Sequence, residues 1–379
     1  MPTELESAIG ELRLVDHHVH ASLRDQPTAP QFAQLLTESA RPAAPGTSHL
    51  DSQIGIAVRR HCAPLLGLEP HCAMEDYLDA RRALSAAELD DRLLAAAGVD
   101  RWLVDTGYQG SDLLTLDEFT VRAPGRVEEI VRLETVLETV APGASAQELP
   151  DLFRQALTTA TTHAVGLKSV LAYRYGFDVD PARPSEAEVQ KAAGRWLREI
   201  DAGASPRVTN PVLLRFLLWE GLELGLPLQM HAGYGDPDLD LHRCDPLLLT
   251  SWLRAVEPRG VAIVLLHCYP YHRHAGYLAQ VFPHVYFDVG LAVNYTGAAS
   301  SRVVAESLEL APFGKIFYSS DAWGPAELHH LGSVLWRRGL HRTLSAWVEE
   351  GEWSSRDALR VATMIGKENA ERVYGAGRG

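Results

Sequence analysis

Eight short apolar runs punctuate the chain, most of them separated by sequence of helical character. They cover 12–20, 99–107, 126–136, 164–174, 226–233, 261–270, 284–292 and 315–324. Runs of this length that stop at polar or turn residues read as buried strands. Between them, 148–164, 208–225, 245–258, 271–283 and 303–312 are helix-like; the second opens on Thr-Asn-Pro and closes on Gly225, a capped start and a glycine stop. Strand alternating with helix predicts parallel βα units. Eight such units predict an α/β fold of the (β/α)8 TIM-barrel type. An open doubly wound sheet is the alternative, but no GxGxxG loop follows the first run, which weakens a dinucleotide-binding version of it.

Two stretches are too long for simple connections. Residues 21–97 hold a Pro/Ala/Gly-rich segment, 40–49, followed by helical sequence with charged faces. They are expected to form a helical insertion after strand one, lying over the barrel mouth or serving as a packing or dimerisation element. Residues 175–207 form a second insertion after strand four, and 353–375 are expected to be closing helices. The whole of 1–379 is read as one barrel domain, with 21–97 as an insertion within it.

Polar residues interrupt the runs at a consistent place, their C-terminal ends. The first run, LVDHHVH, carries His18 and His20 two apart. Strand alternation predicts both on one face, with Asp16 below them and His17 on the other face. The fifth run ends in His231, the sixth in His267 and the eighth in Asp321, and the fourth carries Lys168. In a (β/α)8 barrel these ends surround the active site. One strand-end histidine is ordinarily a solvated loop residue. Four histidines and an aspartate converging on one barrel end point to a divalent metal.

Other residues near these ends carry weaker signals. Arg174 suits a substrate carboxylate or an acidic neighbour. Tyr173, Tyr269, Tyr271 and Trp323 are pocket-wall or packing residues. Asp288, inside the seventh run, needs a buried partner, Asp236 reads as a turn residue, and Glu327 as a helix cap or substrate contact. His242, His272, His274, His329 and His330 are expected at the surface.

Composition narrows the partners. The chain is 46% hydrophobic and 22% charged, with a net charge of −14. That balance describes a folded globular protein and argues against nonspecific binding to nucleic acid or anionic membrane. The apolar runs are too short to span a bilayer, and the first residues lack the basic-then-apolar order of a secretory signal. The four cysteines form no CxxC pair. A cytoplasmic location and a small-molecule substrate are expected, and a homo-oligomer is compatible with the chain.

DHHVH, Lys168 in GLKSVLAYRYG, His231 in MHAGYGDPDLDL, His267 in LLHCYPYHRHAGYLA, VYFDVG and Asp321 in SSDAWGPAE together resemble the metal-dependent amidohydrolase superfamily. Within it they resemble the amidohydrolase 2 branch, and in pattern the amidohydrolase-like domains that elsewhere precede glutamine-synthetase-like domains. The resemblance runs from about residue 12 to 375 and is weakest over 21–97. It implies that His18, His20 and Asp321 bind a first ion, with His231 on the same ion or a second. Lys168, if carboxylated by CO2, would bridge two ions; otherwise it is an ammonium paired with Asp321 or Asp16. His267 ligates in a two-ion site and acts as acid, base or electrophile in a one-ion site. The ions implied are Zn2+ first, with Mn2+ or Fe2+ served by the same donors. The activity implied is hydrolysis of an amide-type C–N bond of a small molecule, a γ-glutamyl amide being one candidate. A metal-dependent decarboxylase of an aromatic or unsaturated carboxylate is the alternative, and a non-catalytic metal-binding protein is the third reading.

Overall fold

The computed structural model describes residues 4–375 apart from Gln109 and Ser111. Seven strands, β1 (Leu14–Val19), β2 (Val99–Asp105), β3 (Arg126–Arg132), β4 (Gly166–Ser169), β5 (Leu228–Ala232), β6 (Ile263–His267) and β7 (Val285–Phe287), pair in chain order. Every pairing is parallel. The eighth run sits between β7 and β1 without a regular ladder. The Phe317 amide donates to the Phe287 carbonyl (3.0 Å), and the His17 and His20 amides donate to Tyr318 (3.4 Å) and Ala322 (2.8 Å). Local chemistry explains the irregularity. The Ser320 amide is taken by the Asp16 carboxylate (3.0 Å) and the Ala322 amide by the Ser320 hydroxyl (3.1 Å). Side chains of this kind compete with the ladder for amides.

Alternation along the strands builds the barrel interior in layers. Val15, Leu103, Ile130, Val264, Leu266 and Phe317 form an apolar layer, closed from below by Ala370 and Tyr374 of the last helix, Asn369–Gly375. Two residues further along β2 and β3 the same face carries charged groups. Leu103 is succeeded by Asp105 and Ile130 by Arg132, and these two are joined in a buried ion pair at 2.6 Å. The larger apolar cluster lies outside, between the strands and the surrounding helices.

Strand one departs from simple alternation. Its register against β2 breaks between Asp16 and Val19. The rings of both His17 and His18 therefore enter the barrel interior: that of His17 lies 4.8 Å from the Phe317 ring and meets Tyr374 and Asp288, and that of His18 donates to the Gln229 oxygen (2.8 Å). Asp16 turns aside to Ser320 rather than lying beneath His18 and His20. A bulge adds a residue to one face, so a period-two reading of DHHVH misplaces Asp16 and His17.

Several predicted strands run on into helix. The tail of 126–136 opens the helix Leu133–Val140, that of 164–174 is the turn Leu171–Arg174, and that of 284–292 opens Gly290–Thr296. Apolar content is continuous across these junctions, so composition does not mark them. The predicted helices are seen at Leu149–Ala160, Pro211–Glu223, Thr250–Val256, His272–Val281 and Ser300–Ser307. Asn210 caps the second of these, accepting from the Val212 amide (3.0 Å), with Pro211 as its first residue, as the Thr-Asn-Pro signal requires.

Residues 21–97 carry the helices Ala29–Gln34, Gln53–Ala57, Met74–Arg82 and Ala86–Ala97. Ala86–Ala97 packs on a long helix, Ala326–Glu349. Met74–Arg82 is tied to it, buried Glu327 accepting from Arg81 (2.7 Å) and from the Tyr77 hydroxyl (2.9 Å). The structure corrects the surface assignment of three histidines. His329 and His330 are buried on that long helix. One ring nitrogen of His329 donates to the His20 carbonyl (3.0 Å). His272 is also buried, held by Glu306 at 2.6 Å. A helix covered on two sides has no polar face to announce, so its histidines look like surface residues in the sequence. His242 is exposed and His274 half-buried. Among the described residues no helix is long and apolar enough to cross a membrane.

Candidate metal centre and active-site cavity

The C-terminal ends of the strands open into a cavity of about 500 Å3. At its floor the ligand atoms of His18, His20 and Asp321 all lie within 4.8 Å of one another. His18 Nε2 is 3.1 Å and His20 Nε2 3.9 Å from one Asp321 oxygen, and His267 Nδ1 is 3.3 Å from the other. His231 stacks near His267, ring centroids 4.7 Å apart, and His267 near His18 at 5.4 Å. Lys168 Nζ approaches His18 Nε2 at 3.2 Å. All six residues therefore line one floor, including Lys168, which reaches it from a full layer down.

Hydrogen bonds set the state of the two β1 imidazoles. His18 Nδ1 faces the Gln229 carbonyl oxygen at 2.8 Å, and His20 Nδ1 faces the Asp105 carbonyl at 3.1 Å. Those oxygens can only accept, so each Nδ1 carries the proton and each Nε2 presents a lone pair to the cavity. This is the tautomer a metal ligand needs. Gln229 is itself oriented, because its NH2 donates to the His17 carbonyl (2.7 Å) and the Tyr374 hydroxyl (2.9 Å). His17 in turn joins Tyr374 (3.1 Å) to Asp288 (3.0 Å). Asp288 also accepts from the His267 amide (2.9 Å) and the Gly290 amide (2.7 Å). It fastens the end of β6 and does not face the cavity.

We expect Gln229→Leu to weaken zinc binding about 10–100-fold, the usual cost of losing an outer partner of a ligand histidine. Gln229→Glu should retain part of it, since one carboxyl oxygen still accepts the Nδ1 proton while the other, protonated, donates to the His17 carbonyl as the amide does. Competition with a chromophoric chelator reads both; equal affinity in all three proteins would refute the tautomer argument.

Burial dominates the titrating groups of the floor. Burial pushes the Asp321 carboxyl up to about 7, against the pull of His20 and Lys168. Burial also lowers the Lys168 ammonium to about 8 and holds His18, His231 and His267 well below the ordinary imidazole value. His231 Nε2 and His267 Nδ1 are buried without a hydrogen-bond partner among the described residues. Neutral imidazoles, orphaned ring nitrogens and a carboxylate short of a cation fit a divalent ion. The backbone supports the same place: His267 (φ +66°), Cys268 (φ +58°) and Asp321 (φ +48°) adopt left-handed conformations, which non-glycine residues hold at a cost and mostly at functional sites.

The walls bring in most of the remaining candidates. Tyr173, Arg174, Asp236 and Trp323 line the cavity, whereas Tyr269 does not; its ring stacks on His272 at 5.9 Å. Arg174 already holds Glu138 at 3.1 Å. Glu38, Tyr108, Arg132 and Arg207 of the wall, and Asp105 behind Arg132, carried no role in the sequence reading. Asp105 and Arg132 end strands as the histidines do, so the strand-end signal extends to them. Glu38, from the insertion, and Tyr108 follow no pattern that points to a site.

Comparison with known proteins agrees with this geometry. Residues 159–376, more than half of the chain, match the profile of the amidohydrolase 2 family, described as "Amidohydrolase". Protein fluG of Emericella nidulans is 28% identical over 95% of this chain, and the match spans 45% of fluG, less than half of its length. A solved structure from Lactobacillus casei, provisionally assigned as a metal-dependent hydrolase, is 27% identical with a TM-score of 0.82, covering 100% of this chain and 99% of its own. Glucuronate isomerase from Caulobacter crescentus shares the fold at 14% identity and a TM-score of 0.65, covering 99% of this chain and 94% of its own. With its barrel, its converging histidines and aspartate, and a family profile matching more than half its length, this chain belongs to the metal-dependent amidohydrolase superfamily.

Proposed function

We propose that the protein hydrolyses an amide-type C–N bond of a small molecule. The observation that carries this reading is the pair of tautomer-locked imidazoles, His18 and His20, aimed with Asp321 at one point on the cavity floor. His18, His20 and Asp321 would hold a divalent ion, joined by His231. Lys168 as a carbamate and His267 would complete a second position. A divalent ion supplies Lewis acidity, acidifying a water molecule and drawing electron density from a carbonyl oxygen. The chain's own groups do the rest. Asp321, with a carboxyl near neutrality, is placed to take the proton of the attacking water and return it to the leaving nitrogen. In a one-ion site His267 is left to stabilise the negative charge that develops on the carbonyl oxygen. Tyr173 and Trp323 form walls against which a substrate packs. The same ligand set serves the decarboxylase alternative, but Arg174, which would suit its carboxylate substrate, is held by Glu138 at 3.1 Å.

Metal per chain, measured by elemental analysis on protein purified without chelator or histidine tag, tests the metal part of this reading. Two equivalents falling to about one in Lys168→Ala would support the carbamate bridge. One equivalent, unchanged in Lys168→Ala, would leave His267 as a catalytic group. No metal after reconstitution would overturn the proposal. Product analysis tests the reaction: released amine and acid support hydrolysis, and released CO2 would replace it with decarboxylation.

A further inference from the structure

The charges of the cavity wall are unevenly neutralised. Arg132 is bound by Asp105 (2.6 Å), Arg174 by Glu138 (3.1 Å) and Arg207 by Asp238 (3.1 Å). Each cationic wall residue above the floor thus has its own carboxylate. Glu38 and Asp236 are in the opposite position. Neither forms an ion pair among the described residues, and both line the cavity half-buried. The polar neighbours that act on Glu38 are the Tyr295 hydroxyl and two further carboxylates, Asp321 and Asp236. Arg207 exerts some pull on Asp236 while remaining bound to Asp238.

Aromatic rings line the same cavity: Tyr108, Tyr173 and Trp323. Burial raises the hydroxyl pKa values of Tyr108, Tyr173, Tyr234 and Tyr295, and the charge of Glu38 adds to each. Tyr108 packs on Trp323 at 5.6 Å and on His20 at 5.4 Å, and Tyr234 on Tyr295 at 5.8 Å. Burial pushes the Glu38 carboxyl up to about 7, the behaviour of a carboxylate whose surroundings lack a cation. Carboxylates without an ion-pair partner in a cavity with aromatic walls are the complement of an alkylammonium, which donates charge-assisted hydrogen bonds to the former and makes cation–π contact with the latter.

We propose that this wall is an ammonium subsite: the substrate carries a protonated amine, held by Glu38 with Asp236 beside it, while its amide lies over the floor formed by His18, His20 and Asp321. The proposal rests on the amide-hydrolase reading for the second half of that statement only. It also gives the insertion a purpose. Glu38 follows the helix Ala29–Gln34 within that segment, so the insertion supplies specificity to a floor that the strands supply.

Calorimetric titration of the zinc-loaded full chain with n-pentylammonium and with 1-pentanol separates the two halves, because binding is read without turnover. We expect the ammonium to bind at least tenfold tighter than the alcohol. Glu38→Gln should abolish that preference and leave the alcohol unchanged, and Asp236→Asn should reduce it less. An ammonium that binds no tighter than the alcohol, no measurable binding of either, or a preference that survives Glu38→Gln would overturn the subsite. Amide turnover is assayed separately on matched cationic and neutral amides. A retained ammonium preference without turnover of either amide would remove the hydrolase reading alone. Turnover of both at equal rates, with no ammonium preference, would remove the subsite alone.

Discussion

Asp321→Asn is expected to lower turnover of an amide substrate by about 10²–10⁴-fold, the range that a positioned acid–base group contributes, while the chain keeps its fold. Asparagine preserves the shape of the side chain and removes its charge and basicity. The floor converges on this carboxylate, which lies near His18 (3.1 Å), His267 (3.3 Å) and His20 (3.9 Å). The cost to folding should be small. Burial already works against the charged form of Asp321, pushing its carboxyl to about 7, so a neutral amide relieves a desolvation penalty as it removes an attraction. Zinc content at limiting metal, turnover and melting temperature are read on the same preparation. A variant with unchanged turnover and unchanged zinc content would show that Asp321 neither ligates nor transfers a proton. A variant that loses its fold would show that the carboxylate is structural.

The second large effect concerns stability. Asp105→Leu should destabilise the protein by about 3–5 kcal/mol, the usual cost of stranding one member of a buried ion pair. The Asp105 side chain is fully buried and that of Arg132 is 12% exposed where it lines the cavity, so the guanidinium would gain little solvent in place of its carboxylate. Burial works to raise the Asp105 carboxyl, but Arg132 together with His20, Lys168 and His18 outweighs it, and the net result is a carboxyl well below its ordinary value. The sign of the pH dependence follows. A depressed carboxyl contributes stability that is fully present above the unfolded value of about 4 and is lost as pH falls below it toward the folded value. Removing both charges together, in Asp105→Leu/Arg132→Leu, should recover much of the loss, since apolar replacements of buried pairs are often neutral. Denaturant midpoints at pH 7 and at acid pH give all three comparisons. If the double variant is as unstable as the single one, the pair is not the source of the cost.

Much of the barrel was legible because a buried strand with one polar terminus is a local pattern. An apolar run that stops at histidine, as in LPLQMH or VAIVLLH, states both the strand and the direction from which its site is approached. The same logic reaches Asp105 and Arg132, which end their runs as the histidines do. Charged strand ends are common, however, and only the ion pair across β2 and β3 distinguishes these two. Tyr269 shows the converse: a tyrosine beside a site histidine in sequence, its ring turned onto His272 in space.

What the amino-acid order determined by itself was the alternation of strand and helix and the floor of the site: His18, His20, Lys168, His231, His267 and Asp321. These follow from periodicity and from polar residues at strand ends, both of which are short-range properties. The tertiary structure decided the rest. The register break in β1 turns the rings of both His17 and His18 into the barrel. The burial of His330 depends on the insertion, which faces it with His61 and Ala96, and that of His329 on Trp102 and Phe119. The neutralisation of Arg174 depends on Glu138, 36 positions away. The approach of Glu38 to the cavity depends on the path of a segment with no periodic signal. Each of these is a pairing between residues distant in the chain, and pairings of that kind are set by packing, which no local pattern encodes.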